Sequence, residues 1–346
     1  AMIKTALVSF GMSGRVFHAP FINLNPNFVL AGAWERSSKN IQAVYPGVTS
    51  YESYEAILTD PSIDLVVVNS PNDTHFTYTK QALLAGKHVV VEKAFTVTVE
   101  EAEELAALAV QQQKVLTVYQ NRRYDADFLT IQKLIAQHKI GHFLDVQISY
   151  ERYRTTLSPK VHKEQPTPGA GVLLDLGPHL VDQAIQLSGM PTAVFADLRI
   201  TRSVSLVDDY FTLLLYYPTH RILLTSGMVF MQVGPGYKIY GTKGCFIKNR
   251  SDVQEDLLLA GHKPGGENWG KEDPKNYGTL STDTDGVITS TIIESERGDY
   301  GKYYEAVAAA ILENKPVPVT PQEGINIMKV LVAAKQSHEI KQVVQL

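Results

Sequence analysis

The sequence predicts an α/β fold in two parts: a doubly wound parallel sheet in the first 120 or so residues, then a second, antiparallel or mixed sheet. Three observations carry this reading. Short β-branched apolar runs alternate with amphipathic stretches up to about residue 120. From about residue 140 the strands become longer and alternate apolar with polar residues. A turn with two glycines follows the first apolar run and leads into a helical pattern.

The first runs are "IKTALVSF" (3–10), "FVLAGAW" (28–34), "IDLVVVN" (63–69), "KHVVVE" (87–92) and "VLTVY" (115–119). Continuous apolar runs of this length suit parallel strands buried on both faces. Helical periodicity lies between them, clearest at 99–112, where Thr98 and Glu101 have the spacing of a capping box. Strand–helix alternation of this kind builds a parallel sheet. "NRRYDADF" (121–128) is read as the junction, giving a domain over 1–121 and another over 122–346. In the second, "FLDVQISYERYR" (143–154), "TAVFADLRIT" (192–201), "YFTLLLYY" (210–217) and "HRILLTSGMVF" (220–230) alternate as strands with one covered face do, and Pro218-Thr219 predicts a hairpin. The polar, glycine-containing stretch 251–286 reads as an excursion from the core, and helices are expected over 303–313 and about 321–338.

Composition narrows the function. With 346 residues, 44% hydrophobic and 20% charged, the chain has the balance of a globular protein large enough for two domains. A formal charge of −4 offers no electrostatic footprint for nucleic acid or an anionic membrane. The single Cys245 allows no intrachain disulfide, and Met2 leads straight into a strand without a basic-then-apolar leader, so a cytoplasmic protein is expected. His18, His75 and His162 are scattered without metal-ligand spacing, and no metal is expected.

After the first run comes "SFGMSG". A dinucleotide turn needs glycine for tightness, for backbone approach to the pyrophosphate and for helix–strand packing. Gly11 and Gly14 fill the second and third places, with Met12 and Ser13 between them and Ser9 in the first. Glu35 closes the second run and suits the adenosine ribose of NAD, whereas its neighbours Arg36, Ser37 and Ser38 suit the 2′-phosphate of NADP. Both cofactors stay open.

Ligands bind outside the carboxyl ends of parallel strands. Two such ends carry chemistry: "NSPNDTH" (69–75), with Ser70, Asn72 and His75, and Glu92-Lys93. A lysine beside a cationic nicotinamide has its ammonium form disfavoured, which brings its pKa toward a working range. Far along the chain, "GAGVLLDLGPHLVDQ" (169–183) places Asp175 and His179 four residues apart. In a helix starting near Asp175, with Pro178 in its first turn, these two and Asp182 share a polar stripe, and a carboxylate one turn from an imidazole can move a proton. Tyr119, Asn121, Arg123 and Tyr153 supply hydroxyl, amide and guanidinium groups suited to a polyhydroxylated substrate.

Gly11-Met-Ser-Gly14, Pro71-Asn72-Asp-Thr-His75, Glu92-Lys93 and Asp175-Leu-Gly-Pro-His179 together resemble the Gfo/Idh/MocA oxidoreductases over essentially the whole chain. "FHAP", "NDTHF", "NRRYDADF" and "GDYGKYYEA" are similar to the bacterial subgroup that includes scyllo-inositol dehydrogenases. The resemblance implies an N-terminal Rossmann domain binding NAD or NADP, and a C-terminal domain whose open, mostly antiparallel sheet makes a homodimer or homotetramer. It implies an inositol or sugar substrate and a meeting of Lys93, Asp175 and His179 at the nicotinamide. His179 is then the acid/base, Asp175 its orienting partner, and Lys93 the group that holds the reacting oxygen. Two departures stand out: Ala94 follows Lys93 where the family has proline, and Ser9 replaces a glycine. Alternatives on the same scaffold are an NAD-dependent glycosidase and a sensor of cofactor or sugar without catalysis.

Overall fold

The computed structural model describes residues 1–346. Its chain divides into two compact units. The first comprises Ala1–Asn121, Gln254–Trp269 and Asp299–Ile325, and the second comprises Arg122–Val253, Gly270–Gly298 and Asn326–Leu346.

In the first unit β1 (Ile3–Leu7), β2 (Phe28–Trp34), β3 (Thr49–Tyr51), β4 (Leu65–Val68), β5 (His88–Glu92) and β6 (Leu116–Tyr119) form one sheet. Their order is β3-β2-β1-β4-β5-β6 and every pairing is parallel. This is the doubly wound arrangement, and its order reverses between β1 and β4. Leu65–Val68 and Val89–Val91 have essentially no exposure, as continuous apolar runs at the centre of such a sheet require. The helix Val99–Gln112 opens on the expected capping box of Thr98 and Glu101. The strand β3 was not anticipated; at three residues it is too short for a periodic signal.

The two later segments complete this unit. Within the helix Gly301–Glu313, Tyr303 donates from its hydroxyl to the carbonyl of Val118 (3.0 Å), and Thr117 donates to the carbonyl of Val319 (2.7 Å). Edge strand β6 thereby finds partners for its buried polar groups nearly two hundred residues downstream.

The second unit holds β7 (Phe143–Glu151), β8 (Ala193–Arg199), β9 (Tyr210–Tyr216), β10 (Arg221–Gly227), β11 (Tyr237–Gly241), β12 (Gly244–Lys248), β13 (Gly278–Thr284), β14 (Val287–Ile293) and β15 (Val344–Gln345). They form a nine-stranded sheet in the order β14-β13-β12-β11-β7-β10-β9-β8-β15, antiparallel except between β7 and β10. The hairpin at Pro218-Thr219 joins β9 to β10. One face is covered by the helix Val172–Ser188, with Ile222, Leu224, Leu213 and Leu215 turned inward.

The stretch 251–286 differs from its expected role as an excursion. It contains the helix Val253–Leu259, and β13 within it pairs with both β12 and β14. β13 and β14 are rich in Thr and Ser, and β14 is exposed along most of its length, so neither shows the apolar alternation that marks a half-buried strand.

Candidate active site

The fingerprint turn lies at the switch point of the parallel sheet. Ser9 and Asn69 lock the ends of β1 and β4 together: the Ser9 amide donates to Asn69 Oδ1 (3.0 Å) and Asn69 Nδ2 donates to the Ser9 carbonyl (2.8 Å). A Cβ on Gly14 would sit 2.7 Å from the Ser9 carbonyl and 3.1 Å from Asn69 Nδ2, so only glycine lets the helix approach this closely. A Cβ on Gly11 would meet nothing nearer than Ser9 Oγ at 3.7 Å. Gly14 therefore serves helix packing, and Gly11 leaves backbone bare toward open space, which is the division of labour a pyrophosphate cradle needs. Ser9 fits in place of glycine, its hydroxyl lying 3.4 Å from the Gly11 amide as acceptor. The residues present fit a dinucleotide.

Glu35 does not stand free at the end of β2. It is only 8% exposed, and its carboxylate accepts from the amides of Asn40 (2.9 Å) and Ile41 (3.2 Å), at the start of the short helix Ile41–Val44. Arg36 lies over the Trp34 ring, 5.2 Å from its centroid, and donates to the Tyr78 hydroxyl (3.0 Å).

The "PNDTH" loop after β4 is tied to the loop after β5. Asn72 Nδ2 donates to the carbonyls of Ala94 (2.8 Å) and Thr96 (3.2 Å). His75, wholly buried, lies between the carbonyls of Ala94 (2.7 Å) and Ser70 (2.8 Å). Burial holds its imidazole below the usual histidine range against the opposing pull of those carbonyls and of Glu92. Ser70 Oγ accepts from the Thr74 hydroxyl (2.7 Å). Both motifs thus fix the backbone immediately after Lys93. The Lys93–Ala94 peptide is cis.

Glu92 faces inward. One carboxylate oxygen is 2.7 Å from His18 Nε2, and the other accepts from the Lys93 amide (3.3 Å). Tyr119, expected on the pocket wall, is instead core: it is 1% exposed, packs edge-on against Tyr303 and donates to the Phe17 carbonyl (2.9 Å).

In the second unit the helix carrying Asp175 and His179 begins at Val172, one turn earlier than expected. Asp208 makes that start possible. Its carboxylate accepts from the Leu173 amide (2.8 Å) and its carbonyl from Val172 (2.9 Å). Gly171 has φ +94°, and a Cβ there would collide with the Asp208 carboxylate at 2.1 Å. Pro178 consequently falls inside the helix, where it withholds a backbone bond from the Leu174 carbonyl.

Asp175, His179 and Asp182 do share one face of the helix. His179 is 5% exposed. Arg123 clasps the Asp182 carboxylate with two hydrogen bonds, Nε to Oδ2 (2.9 Å) and Nη2 to Oδ1 (2.7 Å). Asp175 meets a group the sequence reading missed, Lys163, whose Nζ lies 2.6 Å from Oδ1. Nothing local announces Lys163; it comes from a turn twelve residues upstream that the Gly171 amide secures by donating to the Lys163 carbonyl (3.2 Å). Asn121 is buried at the start of the turn Asn121–Tyr124. Tyr153 is half exposed and forms an isolated bridge with Val229.

Comparison with known proteins agrees with this architecture. Residues 3–120 match the NAD-binding Rossmann fold of the Gfo/Idh/MocA oxidoreductase family, and residues 132–346 match its C-terminal alpha/beta domain. The chain belongs to that family and is an NAD(P)-binding oxidoreductase. Among individual proteins, it is 37% identical to a scyllo-inositol 2-dehydrogenase (NADP(+)) of Bacillus subtilis, over 99% of this chain and 96% of the relative. A D-glucoside 3-dehydrogenase of Escherichia coli is 22% identical over 96% of this chain and 94% of its own length. A solved Bacillus subtilis oxidoreductase, yvaA, superposes with a TM-score of 0.96 at 36% identity, covering 100% and 99% of the two chains.

Proposed function

We propose that the protein interconverts a secondary alcohol of a cyclic polyol, inositol above all, and its ketone, with NADP as the preferred cofactor. The observation that carries the substrate class is the 37% identity to scyllo-inositol 2-dehydrogenase over nearly the whole of both chains. Support for NADP comes from Glu35: its carboxylate is engaged by two backbone amides, leaving Arg36, Ser37 and Ser38 to meet the adenosine ribose.

A nicotinamide dinucleotide bound at the switch point, against the turn of Gly11 and Gly14, would supply hydride exchange at the carbinol carbon. His179 takes the hydroxyl proton in oxidation and returns it in reduction. Asp175 orients His179 and offsets the charge it gains, while Lys93 holds the reacting oxygen as a hydrogen-bond donor. Arg123 acts through Asp182 to fix the helix face that carries His179.

A second copy of the chain on the open face of the nine-stranded sheet completes the reading. Its support is the exposed apolar side chains there and at its edge, Leu144, Tyr240, Ile288 and Ile292 among them. Light scattering on the purified protein reads this directly; a monomer would overturn it.

Absorbance at 340 nm tests the chemistry, with wild type and Lys93→Ala, NAD⁺ and NADP⁺, inositol isomers and common aldoses. Cofactor reduction by wild type, largely lost in Lys93→Ala, is the expected result. Glycoside hydrolysis without net cofactor reduction would overturn the dehydrogenase reading of the substrate step.

A further inference from the structure

Behind Lys93 lies a buried line of three side chains within the first unit. The Tyr304 hydroxyl is 2.6 Å from His18 Nδ1, and His18 Nε2 is 2.7 Å from Glu92 Oε1. The other Glu92 oxygen accepts from the Lys93 amide. Neither His18 nor Tyr304 has any exposed surface. Their rings are locked by Tyr119, 4.4 Å from the His18 ring, and by Phe28, edge-on to Tyr304 at 5.6 Å.

One set of hydrogen-bond directions, with a neutral imidazole between phenol and carboxylate, satisfies all three groups. Burial, with Tyr119, Tyr303 and Glu92 nearby, pushes the Tyr304 phenol well above its usual range, so it keeps its proton and must donate it. Its partner is His18 Nδ1, which must therefore accept. A neutral imidazole accepting at Nδ1 carries its proton on Nε2, aimed at Glu92. Burial alone would raise the Glu92 carboxyl; the His18 bond, with the Lys93 charge, holds it below the usual range. A fixed anion thus stands beside the lysine.

We propose that His18 is a positioning residue for Lys93: in the tautomer selected by Tyr304, it keeps the Glu92 carboxylate oriented and ionised so that the Lys93 ammonium persists at working pH. This rests on the assignment of Lys93 to the reacting oxygen made above. The groups facing Glu92 within this unit are His18, Lys93 and His75, and those facing Tyr304 are His18, Tyr119, Tyr303 and Glu92.

The test is the pH profile of kcat/KM for polyol oxidation. In wild type the alkaline limb is the loss of the Lys93 ammonium. His18→Leu removes the donor, the Glu92 carboxylate is no longer held toward Lys93, and the limb moves to lower pH by about one unit, with kcat/KM near pH 9 down about tenfold. His18→Asn keeps a partner for Tyr304 but is too short to reach Glu92, and shifts in the same way. His18→Gln reaches Glu92 with an amide donor and restores the wild-type limb. A purely structural role would lower the thermal midpoint and the height of the profile while leaving the limb in place. A limb unmoved in His18→Asn or His18→Leu overturns the proposal, as does a limb in His18→Gln displaced as far as in His18→Asn. Lys93→Met separates the two readings: if it turns over within a few-fold of wild type, the assignment of Lys93 itself fails.

Discussion

Lys163 Nζ and Asp175 Oδ1 are 2.6 Å apart, so the carboxylate we propose as the orienting partner of His179 is also the anchor of a lysine from the preceding turn. Both groups are partly exposed, and such a pair contributes little to stability, about 1 kcal/mol or less. Its consequence is orientation. Lys163→Ala is expected to leave the thermal midpoint nearly unchanged while lowering kcat about tenfold, because a carboxylate free to rotate no longer favours one imidazole geometry. Steady-state kinetics on Lys163→Ala, Asp175→Asn and the double variant check this; the double variant should lose less than the product of the single losses.

Arg36 and Glu35 are expected to separate cleanly. Arg36→Ala should lower the ratio of kcat/KM with NADP⁺ to that with NAD⁺ by at least about tenfold, the equivalent of ~1.4 kcal/mol of lost phosphate binding. Glu35→Ala should lower the thermal midpoint, because the amides of Asn40 and Ile41 lose their acceptor, and should shift the cofactor ratio far less. Parallel titrations with both cofactors, alongside thermal melts, read the two effects.

Asp209 makes stability pH-dependent at the acid end. Burial raises its carboxyl, but the stronger combined effect of bonds from Thr201, Arg202 and Ser205 takes it down to about 2, against 3.8 for an ordinary aspartate. A depressed native pKa contributes stability that is complete above the unfolded value and is lost as pH falls through the folded one. Asp209→Asn is therefore expected to be less stable at pH 7 and to show a flatter stability curve between about pH 4 and pH 2. Urea midpoints across that range test it; a parallel offset between the two curves would contradict it.

Lys248 and Glu272 form an ion pair at 2.8 Å with neither side chain exposed, supported by the Asn276 carbonyl and the Ser251 hydroxyl. Removing one partner strands a buried charge, so Lys248→Met should destabilise by about 3–5 kcal/mol. Replacing both, with Glu272→Leu added, should recover much of that loss. Chemical denaturation of the three variants gives the comparison.

The parts of this molecule that depend on neighbours in sequence were legible in it. Val89–Val91, the Thr98–Glu101 box and the Gly11/Gly14 spacing are local patterns, and each has the structure its pattern predicts. Partners set by tertiary contact were not. Glu35 reads as a ribose ligand until the amides of Asn40 and Ile41 turn up against it. Tyr119 reads as a pocket wall because strand ends usually face the cleft, yet its ring is enclosed by His18 and Tyr303. The start of the helix at Val172 depends on Asp208, more than thirty residues away, and no periodicity within the helix reveals it. The hairpin of β13 and β14 was obscured by composition: strands of Thr and Ser with an exposed surface look like loop.

The partners of β6 bear on how the protein is made. Thr117 and Val118 leave the ribosome long before Tyr303 and Val319, which are 186 and 202 residues from Thr117. Until those arrive, the nascent parallel sheet has an uncovered edge, His18 lacks Tyr304, and the buried hydroxyl of Thr117 has no carbonyl to receive it. The nucleotide-binding unit is encoded first yet is not complete until Ile325. Synthesis of β7 to β14 falls inside that interval, so release of a chain truncated before residue 299 would yield a first unit with an adhesive flank rather than a domain.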